Sequence, residues 1–219
     1  MKKEIITTKD GSSSIYLPLW NETYHSKFGA IQEAKHVFIK NGLSRLNLSN
    51  ISILEIGFGT GLNAFITFLE TLNTTQHINY TAVEAFPLEH QFIENLNYVS
   101  KLNAMQHQSV FETIHRANWG ETILLSSNFS LYKSLQKFED INYNAAFNII
   151  YFDAFGYDVQ PDLWSEEIFK KMYASLVPKG ILVTYACRTI IKNNMKLAGF
   201  SVEKLPGAPG KREMLLAIK

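Results

Sequence analysis

The amino-acid sequence predicts an α/β fold: a mostly parallel sheet of seven strands with helices on both faces, preceded by an N-terminal extension. Three observations predict it. From Ile51 onward, short apolar runs alternate with segments of helical periodicity, the rhythm of a sheet built by right-handed crossovers. The runs ending at Ile56, Val83 and Phe152 each lead straight into a glycine or an acid, as when ligand-binding groups sit beyond the carboxyl ends of parallel strands. Finally, 219 residues with 46% hydrophobic and 19% charged side chains suffice for one well-cored domain and are few for two.

Taken in order, residues 1–50 form the extension and residues 51–219 the main domain. Lys9-Asp10-Gly11-Ser12 separates Glu4-Ile5-Ile6-Thr7-Thr8 from Ser13-Ser14-Ile15-Tyr16-Leu17, so the chain should open with a hairpin turning at Asp-Gly. Ile31, Ala34, Val37 and Phe38 make an apolar stripe that ends at Asn41-Gly42, which predicts a helix over 29–41. In the main domain, strands are expected over 51–56, 78–83, 129–132, 147–152, 180–185, 200–205 and 214–218. Helices are expected over 62–72, 88–96, 165–176 and 190–197. The last two strands are joined by Pro206-Gly207-Ala208-Pro209-Gly210, a connection short enough for an antiparallel pair.

Composition excludes several classes. A lone Cys187 leaves no internal disulfide, and Met1-Lys2-Lys3-Glu4 opens a polar stretch rather than a signal peptide, so a cytoplasmic location is expected. No apolar run approaches the roughly 20 residues of a membrane span, and no membrane association is expected. Six histidines lack the paired spacing of a metal site, and no metal is expected. Of these, His25 lies on a segment able to fold over a ligand. Formal charge is +1, but residues 170–219 hold ten Lys and Arg against two Glu. Such asymmetry hints at a polyanionic partner.

The chemistry concentrates at two strand ends. In Glu55-Ile56-Gly57-Phe58-Gly59-Thr60-Gly61-Leu62-Asn63, bare backbone amides stand between a strand and a helix, the Rossmann-like setting for a nucleoside or nucleotide. The spacing is G-x-G-x-G rather than the dinucleotide pattern G-x-G-x-x-G. Glu55 is expected to face the ligand, where it would repel a pyrophosphate and welcome a cation. S-adenosylmethionine (SAM), with an ammonium and a sulfonium, is such a ligand. Glu84 lies 23 residues beyond Gly61, near the roughly 20 expected of an acid that grips ribose hydroxyls. A nicotinamide dehydrogenase, or glycines that serve only a tight turn, are the competing readings.

The second strand end is Asp153. Phe155, Tyr157 and Trp164 follow it and are expected to wall a pocket for a planar base or a cation. Asp153 can orient an amine and take its proton late, or simply cap a turn.

These residues resemble a known family. Tyr24-His25-Ser26-Lys27-Phe28-Gly29-Ala30, Glu33, His36-Val37-Phe38, the glycine run, Glu84-Ala85-Phe86-Pro87-Leu88, Asp153-Ala154-Phe155, Pro161-Asp162-Leu163-Trp164, Leu182-Val183-Thr184-Tyr185, Ala198-Gly199-Phe200 and Gly210-Lys211-Arg212-Glu213-Met214 occur in this order. The chain is thereby similar to the methyltransferase domain of the bacterial bifunctional enzyme of tRNA 5-methylaminomethyl-2-thiouridine biosynthesis, and to its free-standing relatives.

The resemblance implies a class I SAM-dependent methyltransferase that converts 5-aminomethyl-(2-thio)uridine at the tRNA wobble position to its 5-methylaminomethyl form. A partner enzyme would make the aminomethyl group. It implies Asp153 and Phe155 at the reacting amine. At the cofactor it implies Glu55, Gly57, Phe58, Gly59, Thr60, Gly61, Asn63, Glu84 and Asp153, and it puts Lys211 and Arg212 on a loop near the active site, at the tRNA; Tyr157 and Trp164 are expected at the tRNA from their place after Asp153 alone. Because the chain stops after Met214–Lys219, the flavin-dependent oxidase half is expected to be missing, with no FAD. Two departures stand out. Gly156-Tyr157 replaces the usual Ala-Pro, and Lys137 stands where an acid would reach the adenine, with Glu139 or Asp140 as substitutes. The alternatives are a SAM enzyme for a small-molecule amine or acid, and a non-catalytic RNA-binding relative.

Overall fold

The structure, a computed structural model, describes residues 1–219. The extension holds three short antiparallel strands, β1 (Glu4–Thr7), β2 (Ser13–Leu17) and β3 (Glu22–Thr23). The Asp-Gly turn forms as expected, because Asp10 accepts from the Ser12 amide at 3.0 Å and Gly11 takes φ +82°. A third strand was not anticipated. The helix that follows begins as α1 (Ala30–Ala34) and widens into a π-helical stretch over Lys35–Lys40, ending at Asn41.

The main sheet has eight strands rather than seven, in the order β10-β11-β9-β8-β4-β5-β7-β6. Its centre is parallel: β4 (Asn50–Ile56), β5 (His77–Glu84), β7 (Phe129–Leu135), β8 (Phe147–Phe152) and β9 (Leu176–Thr184). The extra strand is β6 (Thr122–Ser126), an antiparallel edge that lies on β7. At the other edge, β10 (Ser201–Pro206) and β11 (Glu213–Ile218) form the expected antiparallel pair, with β11 against β9. Helices α2 (Leu62–Thr71), α6 (Glu166–Ser175) and α7 (Thr189–Leu197) occupy the predicted segments. The helix expected over 88–96 shrinks to α3 (His90–Ile93), and two unforeseen helices follow, α4 (Tyr98–Lys101) and α5 (Gln108–Arg116).

Both faces of the sheet are covered. On one, Ile51, Ile53, Tyr80, Ile149, Tyr151 and Val183 pack with Phe65 of α2, Phe111 of α5 and Val37 and Phe38 of the extension. On the other, Leu54, Ile56, Ile150, Phe152 and Leu182 pack with Phe169, Met172, Ile191 and Met195. Burial on both faces explains why the central strands read as continuous apolar runs instead of alternating ones. Strand order reverses at β4, since β5 lies on one side and β8 on the other. A crevice therefore opens at the carboxyl ends of these strands. No helix is long and apolar enough to cross a membrane.

Candidate functional site

That crevice is a cavity of about 900 Å³. Its floor is the glycine turn between β4 and α2. Gly57 has φ +90°, and a Cβ there would lie 2.6 Å from the Asp153 carbonyl oxygen, so only glycine lets the two strand ends approach. Gly61, in the left-handed region at φ +68°, starts α2. The turn is tied to β5, with the Gly57 and Phe58 amides donating to the Val83 carbonyl at 3.0 and 3.2 Å. Phe58 and Thr60 are buried beside it and line the cavity with Asn63.

Glu84 ends β5 on the cavity wall. Three backbone amides hold it: Gly59 donates to Oε2 at 3.1 Å, and Ala85 and Phe86 donate to Oε1 at 2.9 Å each. Fixed this way, the carboxylate is aimed into the cavity with lone pairs left to accept from a diol.

Asp153 lies on the same edge. Its amide continues the ladder to the Ile56 carbonyl at 2.9 Å, and its Oδ2 accepts from Asn63 Nδ2 at 2.8 Å. Burial, reinforced by the negative charge of Glu33, raises its pKa from 3.8 to about 7, against the opposing pull of Asn63 and Lys211. A carboxyl so poised exchanges a proton near neutral pH.

Glu55 does not face the ligand. Side chains alternate along β4, so Glu55 joins Ile51 and Ile53 on an interior face; it is fully buried and absent from the cavity wall. Burial and the neighbouring Asp153 raise its pKa well above the ordinary range, which keeps it as the neutral acid. Both Glu55 oxygens, Asn63 Oδ1 and Tyr80 Oη are buried without a hydrogen-bond partner. Of the acids that do line the cavity, Glu89 is paired with Lys3 and Glu139 with Lys137, which leaves Glu84 and Asp153.

The extension completes the cavity. His25 Nε2 lies 2.7 Å from the Thr60 hydroxyl, and burial lowers its pKa to about 4, so it stays neutral. Tyr24 and Trp20 meet the Phe155 ring edge-on, at 5.0 and 5.5 Å between centroids. This aromatic wall was only partly legible: Phe155 was expected, Trp20 was not. Tyr185, which also lines the cavity, donates its hydroxyl to the Ala154 carbonyl at 2.9 Å.

Three expectations about the acceptor side change. Trp164 is fully buried, packs on Phe152 and Phe169, and donates Nε1–H to the Phe155 carbonyl at 2.8 Å. It braces the aromatic wall from behind. Tyr157 is absent from the cavity lining and lies under the Arg188 guanidinium, 5.7 Å from its ring centroid. Lys211 turns inward, paired with the buried Glu33 and 3.8 Å above the Tyr185 ring. Arg212 alone of that dipeptide is exposed. Beyond β7, Lys137 and Glu139 both line the cavity and pair at 3.5 Å, while Asp140 does not line it.

The SAM fit rests on the absence of side chains at Gly57 and Gly59, the amide-fixed Glu84, and the carboxyls of Glu84 and Asp153 on the cavity wall. No group of His, Cys, Asp and Glu is arranged to hold a metal ion. Together, this fold and this cradle define the class, a SAM-dependent methyltransferase. Residues 122–219, which include Asp153 and Lys211 but not the glycine turn, match a family model described as S-adenosyl-L-methionine-dependent methyltransferase.

The particular resemblance follows. The chain is similar to the tRNA 5-methylaminomethyl-2-thiouridine biosynthesis bifunctional protein MnmC of Leptospira interrogans, 27% identical over 90% of this chain and 32% of that protein. The same-named protein of Pseudoalteromonas atlantica is 28% identical over 91% of this chain and 31% of its own length. The chain thus spans about a third of these relatives. Among solved structures, MNMC2 of Aquifex aeolicus superposes with a TM-score of 0.78 at 23% identity, covering 99% of this chain and 69% of that one. Spermidine synthase of Thermotoga maritima shares the fold at a TM-score of 0.58 and 14% identity, over 99% of this chain and 69% of that one. The resemblance read from the sequence is borne out.

Proposed function

We propose that the protein methylates the amine of 5-aminomethyl-(2-thio)uridine at the wobble position of tRNA. The observation that carries this is Asp153, a carboxyl with a pKa of about 7 set between the cofactor cradle and the aromatic wall of Phe155, Tyr24 and Trp20. The similarity to MnmC over 90% of the chain supports the choice of tRNA.

When bound, SAM supplies an electrophilic methyl group on a sulfonium. Gly57, Phe58, Gly59, Thr60, Gly61 and Asn63 would hold it, with Glu84 accepting from its ribose. The chain's task is then to bring a neutral amine into line and to dispose of a proton, and holding the two partners together can provide much of the acceleration. Asp153 accepts an N–H hydrogen bond from the amine and so orients it. The nitrogen that gains a methyl must lose a proton, and Asp153 receives it. A pKa close to the working pH suits that exchange better than an ordinary carboxylate would. The ring edges of Phe155 and Tyr24 exclude water beside the amine, and Trp20 offers a face to the base.

Phosphates would be held outside the cavity. Six of the ten bases in residues 170–219 are already engaged: Lys170, Arg188, Lys204 and Lys211 with carboxylates, and Lys171 and Lys219 with carbonyls. Of the remainder, Lys192 and Arg212 lie near the carboxyl edge, clustered around Cys187 and Glu213. They are the candidates for phosphate contacts.

The test is transfer of a labelled methyl group from SAM to tRNA carrying 5-aminomethyl-2-thiouridine. Incorporation that disappears in Asp153→Ala supports the reading. Incorporation that survives this change within a few-fold removes Asp153 from the mechanism, and labelling of small amines but not of tRNA moves the substrate to that class.

A further inference from the structure

Behind the cavity, one ion pair joins three parts of the chain. Glu33 of α1 is 7% exposed, and its Oε2 accepts from the Ser26 amide at 2.9 Å. Its other oxygen pairs with Lys211 of the loop between β10 and β11. The Lys211 ammonium also rests 3.8 Å above the Tyr185 ring, whose hydroxyl holds the carbonyl of Ala154, the residue after Asp153. Two further contacts bind the same loop to the extension. His36 Nε2 lies 2.8 Å from the Pro206 carbonyl, and the Phe28 ring packs so closely on Gly210 that no Cβ would fit.

Glu55 of β4 is a neutral acid, and Tyr80 of β5, Tyr98 of α4 and Tyr185 after β9 keep their protons because burial raises each pKa. Asn63 of α2 is an uncharged donor. Glu33 and Lys211 remain as the formal charges acting on Asp153, in opposite directions.

We infer that the Glu33–Lys211 pair is a positioning device for Asp153: it clamps the Pro206–Arg212 loop to the N-terminal helix and sets the electrostatic field at the carboxyl that receives the acceptor's proton. Neither residue lines the cavity, so both act through Asp153 and the Tyr185–Ala154 link. The inference rests on the proposed role of Asp153, yet the charge effect can be read without any substrate. Lys211 is thereby reassigned from contacting tRNA to shaping the site.

The experiment is a carbon-13 NMR titration of the aspartate carboxyls in the full chain, with Asp153→Asn assigning the resonance. Glu33→Gln keeps an acceptor for the Ser26 amide but loses the anion, so the Asp153 midpoint should fall by about half a pH unit or more. Lys211→Met should raise it by a similar amount, Lys211→Arg should leave it in place, and the Glu33→Gln/Lys211→Met double variant should return towards the parent. Midpoints that stay fixed, or that move the same way in both single variants, overturn the inference and leave the pair a purely structural clamp. If Glu33→Gln does not fold, the contrast between Lys211→Met and Lys211→Arg still decides. Because neither SAM nor tRNA is present, the titration can succeed even where tRNA methylation fails, and the two readings stand or fall separately.

Discussion

Asp153 is a carboxyl whose burial works against stability in favour of function. Its folded pKa of about 7 lies above the ordinary 3.8, so the folded state holds the proton more tightly than the unfolded chain. Stability associated with this group is complete below about pH 3.8 and is lost as pH rises towards 7. Asp153→Asn should therefore raise the melting temperature at pH 8, by a free energy on the order of 1–3 kcal/mol, and change little at pH 4. It should also abolish transfer, and the rate of the parent should climb as pH rises through 7. Calorimetry across that range checks the first statement; equal melting curves at pH 8 would contradict it. At Gly57 the constraint is steric. Gly57→Ala places a methyl 2.6 Å from the Asp153 carbonyl at an unfavourable φ of +90°, and SAM affinity by titration calorimetry should drop at least tenfold while Asp153 loses its alignment. These two residues were legible in the sequence because each is a break in chemistry, a glycine or an acid where an apolar strand stops. Glu55 was placed wrongly although the signal was there: the period of two that puts Ile51 and Ile53 inside puts Glu55 inside with them.

At the scale of elements, the parallel strands β4, β5 and β8 were readable since burial on both faces leaves an unbroken apolar run. The segment between β5 and β7 was not. Its helices are short, and α5 anchors itself with Phe111 and Ile114 as its fully buried residues, too brief a stripe to separate from a loop. β6 is half exposed at the sheet edge and carries Leu124 at 75% exposure, so periodicity said little. Trp164 illustrates a different gap, because an aromatic residue beside a site reads the same whether it faces the ligand or the core. Its actual position yields a prediction. Trp164→Phe keeps most of the packing but leaves the Phe155 carbonyl without its donor, and Trp164→Ala opens a cavity in the layer formed by Phe152 and Phe169. Chemical denaturation should show a loss of about 3–5 kcal/mol for the alanine variant and roughly 1–2 for the phenylalanine variant. A loss below 1 kcal/mol for Trp164→Ala, on the order of a surface substitution, would mean that Trp164 does not support the wall.

For the whole molecule, the extension and the main domain meet at the site: His25 bonds to Thr60, Tyr24 and Trp20 pack on Phe155, and Glu33 holds Lys211. The charge asymmetry visible in the sequence survives in part, with most of the C-terminal bases consumed by internal partners. Lys192→Ala with Arg212→Ala should weaken tRNA binding and lower its salt dependence by about one to two charges, leaving SAM affinity unchanged; equal losses for both ligands in calorimetry would indicate damage to the fold instead. Methyl transfer to the wobble amine is tested most directly by nucleoside mass spectrometry of tRNA from cells lacking this methylation, after incubation with the protein and SAM. The 5-aminomethyl uridine should gain a single methyl group, in a reaction that Asp153→Asn abolishes. No gain on that nucleoside, with SAM binding demonstrated on the same sample, would contradict it.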